Sequence, residues 1–168
     1  MESPRPVESV PRAPDLSFLL RHPAHFIGLG FGAGLAPRAP GTFGTLVAFP
    51  LYWALSGLPE PLYWGLVALA LLVGIGVCER TGRALGVPDH GAIVWDEIAA
   101  FLIVLPFAPA GLLGVLLAFA LFRLFDIWKP FPIGWLDARV KGGLGVMLDD
   151  LLAAVYAIAV LLMFGSIV

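Results

Sequence analysis

Five apolar stretches, 42–58, 61–78, 92–107, 109–125 and 151–168, make up about half of this chain, and each runs 16 to 18 residues. At 1.5 Å per residue a helix of that length covers roughly 24–27 Å, close to the lower limit for crossing a bilayer's hydrocarbon layer of about 30 Å. Connections as short as Pro59-Glu60 leave room only for tight turns, so neighbouring stretches must run antiparallel. The predicted fold is all-α: a polytopic membrane helical bundle of about five short transmembrane or partly re-entrant helices. The first stretch, interrupted by Pro50, is the expected exception to full spanning.

Charge placement supports this reading and orients it. Only 13% of residues are charged, against roughly 25% in ordinary soluble domains, and mean hydropathy is +0.93. All ten Lys and Arg residues fall before residue 42, within 79–91 or within 123–150, whereas the two short turns carry only Glu60. With five spans and a cytoplasmic N-terminus every basic residue lies inside, as the positive-inside rule requires. Residues 1–24, with Arg5, Arg12, Arg21 and five prolines, are expected to form a disordered cytoplasmic tail ahead of a membrane-embedded domain over 25–168, with no cleavable signal peptide. A net charge of −2 gives no reason to expect a nucleic-acid partner. The single cysteine, Cys78, rules out an intrachain disulfide and a cysteine metal site, and is read as a packed or lipid-facing residue.

Against this background the acids are costly. Asp89, Asp96, Glu97, Asp126, Asp149 and Asp150 lie inside or against apolar stretches, and a carboxylate at bilayer depth costs roughly 2.5–3.5 kcal/mol on insertion scales. Antiparallel spans bring the start of the third, the end of the fourth and the start of the fifth to one layer beneath the cytoplasmic headgroups. Asp96/Glu97, Asp126 and Asp149/Asp150 therefore converge there. Hard oxygen ligands at that level suit Mg²⁺ together with a phosphate. The competing interpretation pairs these acids structurally with Arg123, Lys129, Arg139 or Lys141.

Other residues could serve the same layer. Arg123 and Asp126 share a helix face, as an ion pair or as a phosphate contact beside a metal ligand. Lys129 is a snorkelling anchor or a phosphate contact. Gly142-Gly143-Leu144-Gly145, between Lys141 and Asp149, would let backbone N–H groups approach a phosphate. In Pro40-Gly41-Thr42-Phe43-Gly44-Thr45, just after Arg38, Thr42 reads as a helix N-cap, and the free N–H groups there also favour an anion. His90 is a proton shuttle or a capping residue, while His22 and His25 look interfacial. In 25–35, glycines alternating with apolar residues give either a closely packed interfacial segment or a flexible backbone that approaches a headgroup.

The blocks Pro40–Thr45, Asp89-His90-Gly91-Ala92-Ile93-Val94-Trp95-Asp96-Glu97, Phe122-Arg123-Leu124-Phe125-Asp126-Ile127-Trp128-Lys129-Pro130-Phe131-Pro132-Ile133 and Lys141-Gly142-Gly143-Leu144-Gly145-Val146-Met147-Leu148-Asp149-Asp150 resemble, in this order, the phosphatidylglycerophosphatase A family. The resemblance runs from about His25 to Tyr156. It implies a Mg²⁺-dependent lipid phosphatase of the bacterial inner membrane, acting on the cytoplasmic side in phospholipid biosynthesis. Such an enzyme hydrolyses phosphatidylglycerophosphate to phosphatidylglycerol and phosphate. In this picture Asp96, Glu97, Asp126, Asp149 and Asp150 supply metal ligands and a general base, with His90 as a further proton carrier. Arg38, Arg123, Lys129 and Lys141 neutralise the phosphate, and Thr42, Gly142 and Gly143 orient it. Direct water attack and an aspartyl-phosphate intermediate both fit. A small ion-coupled transporter would spread its acids across the bilayer instead of gathering them at one end. A phosphatidyltransferase would carry a spaced-aspartate signature, which is missing.

Overall fold

The computed structural model describes residues 13–165, and among these every regular element is helical. Eight α-helices follow in order: α1 (Leu16–Arg21), α2 (Pro23–Gly28), α3 (Pro40–Leu55), α4 (Glu60–Leu85), α5 (Trp95–Val104), α6 (Leu112–Trp128), α7 (Ile133–Asp137) and α8 (Gly142–Gly165). The all-helical fold expected from the apolar stretches is present.

Two helices are long and apolar enough to cross a membrane: α4, and α8 over Gly142–Met163. Only 28% and 44% of their most apolar windows are buried inside the protein. A core helix of a soluble protein would be mostly covered, so the apolar surface left over is suited to lipid. By contrast α5 has only 10 residues, about 15 Å of rise, and is enclosed on nearly every side, with Ile98, Ala99, Ala100, Phe101, Leu102 and Val104 all buried. A helix apolar all round belongs at the centre. Phe101 anchors this core, with Phe49 at 5.4 Å, Phe119 at 6.0 Å and Phe122 at 5.3 Å between ring centroids. Small residues let α8 approach: Ala153, Ala154 and Ala157 are buried against the same core.

Several expected boundaries are corrected. The tail expected through residue 24 gives way to α1 and α2, because the Asp15 carboxylate caps α1 through the Phe18 N–H and His22 Nδ1 caps α2 through the Ala24 N–H. Residues 1–12 of that tail lie outside the described residues. Helix α3 runs through Pro50 without a break, its ring lying on an exposed face where the lost N–H disturbs no packing. Helix α4 continues seven residues past Cys78, which is buried with its sulfur 3.9 Å from that of Met147. Helix α5 starts at Trp95, so Asp96 and Glu97 stand in its first turn, not a turn further in. Helix α8 starts at Gly142, so Asp149 and Asp150 lie two turns inside it instead of before it. The glycines of 25–35 pack closely: a side chain at Gly28 would strike Thr81, and one at Gly34 the Ala92 carbonyl.

Candidate metal and phosphate site

The first turns of α3 and α5 meet the last turns of α6 and the third turn of α8 at one end of the bundle, and the acids gather there. Asp96 (7% exposed) and Asp150 (2% exposed) are buried, and Glu97 is nearly so. Each of these three offers a carboxylate oxygen, and the three atoms lie within 4.8 Å of one another. Asp126 joins the group from α6, paired with the same Arg123 that reaches Glu97.

One cation touches this cluster among the described residues. Arg123 pairs with Asp126 on its own helix and reaches Glu97 Oε1 at 3.5 Å. Its Nη1 also donates to Thr45 Oγ1 at 3.5 Å, and that hydroxyl in turn donates to the Gly41 carbonyl at 2.9 Å. Gly41 is required here by space: a Cβ would run into the Glu97 carboxylate and lie 3.2 Å from Arg123 Nη1. With Gly44 and Ala48, these small residues form the stripe of α3 that lets its N-terminal turn close over the site.

Four carboxylates and one guanidinium leave a formal charge of −3 in a largely buried space. Asp96 Oδ1, Glu97 Oε2 and Asp150 Oδ2 are each buried with no hydrogen-bond partner, as is Arg123 Nε. Buried ionised groups without partners are strongly destabilising unless a counter-ion or ligand supplies them. The three unpartnered oxygens belong to the same residues that converge within 4.8 Å, so the donor set fits a hard divalent cation, with Arg123 Nε left for an anion.

Not every expected residue reaches the site. Asp149, one position from Asp150 and so about 100° round the helix, pairs with Lys129 instead. Lys129 also meets Asp137 Oδ2 at 3.2 Å. Burial acts to lower the Lys129 pKa, but the hydrogen bonds and charges of Asp149 and Asp137 outweigh it and hold that pKa above the ordinary lysine range. Thr42 is the third residue of α3 and not its cap; Ala39, in the left-handed region, stands at that position. Arg38 is exposed beside it. His90 Nδ1 accepts the Ala92 N–H at 3.1 Å, capping the turn that leads into α5. Lys141 is exposed and donates to the Asp137 carbonyl, and Arg139 stacks on Trp135 at 4.0 Å. Asp89 is exposed. Gly142 and Gly143 form no loop: they open α8, and the Gly143 N–H is already donated to Glu79 Oε2 at 2.7 Å. The glycines serve close packing on α4 there, not an open anion cradle. Gly41, Thr45, Asp137 and Glu79 carry no individual role in the sequence reading. The four-residue spacing of Gly41 and Thr45, which puts them on one helix face, was the available signal.

A helical bundle with two membrane-length helices and a buried acid cluster open to a cation and an anion defines a membrane-associated enzyme of phosphate-ester chemistry. The comparisons agree: residues 26–165 match the family model described as Phosphatidylglycerophosphatase A, and the chain belongs to that family and is a phosphatase. It is 41% identical over 147 residues to phosphatidylglycerophosphatase A of Escherichia coli K12, covering 87% of this chain and 86% of the relative. With the Haemophilus influenzae protein of the same name it is 46% identical over 143 residues, covering 84% and 88%. A Bacteroides thetaiotaomicron protein, provisionally named phosphatidylinositol-3-phosphatase, is 40% identical over 139 residues, covering 78% and 86%. No solved structure matches the chain.

Proposed function

We propose that this protein is a Mg²⁺-dependent, multi-pass inner-membrane phosphatase that converts phosphatidylglycerophosphate to phosphatidylglycerol and phosphate on the cytoplasmic side. The observation that carries this reading is the set of three unpartnered carboxylate oxygens on Asp96, Glu97 and Asp150. These residues, with Asp126 beside them, would hold the cation, which when bound supplies polarisation of phosphoryl oxygens and a more acidic water. Arg123 turns its guanidinium to the phosphoryl oxygens and stabilises the charge that builds on them as the bond to glycerol breaks and the bond to water oxygen forms. A carboxylate of the cluster takes a proton from the attacking water and returns one to the departing glycerol oxygen, which leaves as the alcohol of phosphatidylglycerol. Thr45 and Gly41 hold Arg123 and Glu97 in register. The lipid's chains stay along apolar side chains exposed on the same end of α6 and beyond it, Leu124, Ile127, Trp128 and Phe131, so only the headgroup enters. Arg38 and Lys141, exposed at this end, draw in an anionic head before it binds.

Purified protein should release phosphate from phosphatidylglycerophosphate. EDTA should lower the rate by about 100-fold or more, with Mg²⁺ restoring it, because a metal at a phosphoryl group contributes several kcal/mol. Phosphatidylinositol 3-phosphate run in parallel tests the headgroup. Undiminished release in EDTA refutes the metal, and faster release from the inositol lipid refutes the substrate.

Gly41→Ala gives a second check. The obstacle to its new methyl is the end of the Glu97 side chain, which can swing away. Thermal unfolding should therefore change little, while kcat falls about 10–100-fold, as when a partner that orients metal ligands is lost. An unchanged kcat would free Gly41 of this role.

A further inference from the structure

We infer that Lys129, Asp137 and Asp149 form a charge clasp that positions the acid cluster, so that Asp149 and Lys129 act on cation affinity without touching the cation or the phosphate. This rests on the metal reading above. Lys129 ends α6 in a left-handed backbone conformation (φ 45°, ψ 56°), which costs a residue with a Cβ on the order of 1 kcal/mol and persists only where surroundings over-determine it. Its ammonium is drawn inward between Asp149 of α8 and Asp137 of α7, not out toward a lipid surface. The same face of α8 holds the connecting chain again two turns on, where the Tyr156 hydroxyl donates to the Phe131 carbonyl at 3.0 Å. The Asp149 carboxylate also accepts the N–H of Asp150 at 3.1 Å. Three segments are thereby fastened at the level of Asp150, and the clasp fixes how far that carboxylate stands from Asp126 on α6 and from Asp96 and Glu97 on α5.

The sign of one effect separates this role from plain electrostatics. Removing a lysine cation near a metal site should tighten cation binding if charge alone acts; removing a clasp should weaken it. Mn²⁺ binding, read by electron paramagnetic resonance on the purified, metal-stripped protein in detergent, provides the measurement. Lys129→Met should weaken binding about tenfold, in the range for residues that orient metal ligands. Lys129→Gly, which suits the left-handed backbone and so keeps the fold, should do the same. Asp137→Asn should weaken binding and Asp137→Glu restore it. The double variant Lys129→Met/Asp149→Asn should bind no worse than Asp149→Asn alone, because both break one clasp. Unchanged or tighter binding in both Lys129 variants, or additive losses in the double variant, overturns the clasp and returns Asp149 to the ligands. Wild-type binding that is absent, or that survives Asp96→Asn, overturns the metal reading and the clasp with it.

Discussion

Asp150→Asn should reduce phosphate release on the order of 10³-fold, beyond the roughly 10–100-fold cost of losing an outer-shell partner, while membrane insertion is unaffected. The substitution keeps the size of the side chain and removes only its charge. Asp150 is 2% exposed, has one oxygen without a partner, and shares its space with Asp96, Glu97 and Asp126. If Asp150 is a metal ligand as proposed, an amide there removes the negative charge that holds the cation. The same variant should unfold at a higher temperature than wild type in EDTA, because crowded buried carboxylates destabilise a metal-free protein through repulsion and lost hydration. Loss of turnover together with gain of metal-free stability distinguishes a ligand from a structural ion-pair partner, whose removal would lower both. Phosphate release and thermal unfolding of the purified variant, with and without Mg²⁺, decide it; full turnover would remove Asp150 from the site.

Gly143→Ala should damage the fold itself. A Cβ there would run into the Ile75 carbonyl oxygen and lie 2.7 Å from the Glu79 backbone nitrogen. Both atoms are backbone of α4 and cannot rotate away, so α8 must retreat, breaking the hydrogen bond between Glu79 and the Gly143 N–H and carrying Asp150 with it. Overpacking of this kind costs typically 1–3 kcal/mol and occasionally more, and here the upper end or a loss of folded yield is expected. Gly76→Ala is the matched control, since a methyl at that position of α4 meets nothing within 4 Å; it should be neutral or slightly stabilising. Equal unfolding temperatures for the two variants would show that α4 and α8 are not in such close contact.

The contrast explains what could and could not be read from the chain. Hydropathy located the helices, because α3, α4, α5, α6 and α8 each carry a long apolar run. It misplaced two starts for different reasons: the third stretch took in Ala92, Ile93 and Val94, apolar residues that precede α5, whereas Asp149 and Asp150 dilute the apolar signal although they lie inside α8. Glycine misled in the same way. In 142–145 it was read as loop and phosphate cradle, whereas the small size of Gly142 and Gly143 lets α8 lie against α4. Convergence of Asp96, Glu97, Asp126 and Asp150 was legible from antiparallel topology alone. Which of the adjacent pair Asp149 and Asp150 faces inward was not, because that depends on helix rotation set by distant packing. The Lys129–Asp137–Asp149 contacts left no local trace either, since nothing in three separated residues marks that they will meet.

Helix α5 is sheathed by protein, while α8, which carries one of the same carboxylates, turns more than half of its most apolar window outward. A bilayer that thins or thickens tilts a long helix to match its own height, and it has little purchase on a short enclosed one. The spacing of the clustered carboxylates would then depend on the thickness of the surrounding lipid. A phosphatase so arranged would feel, in its own turnover, the state of the bilayer around it.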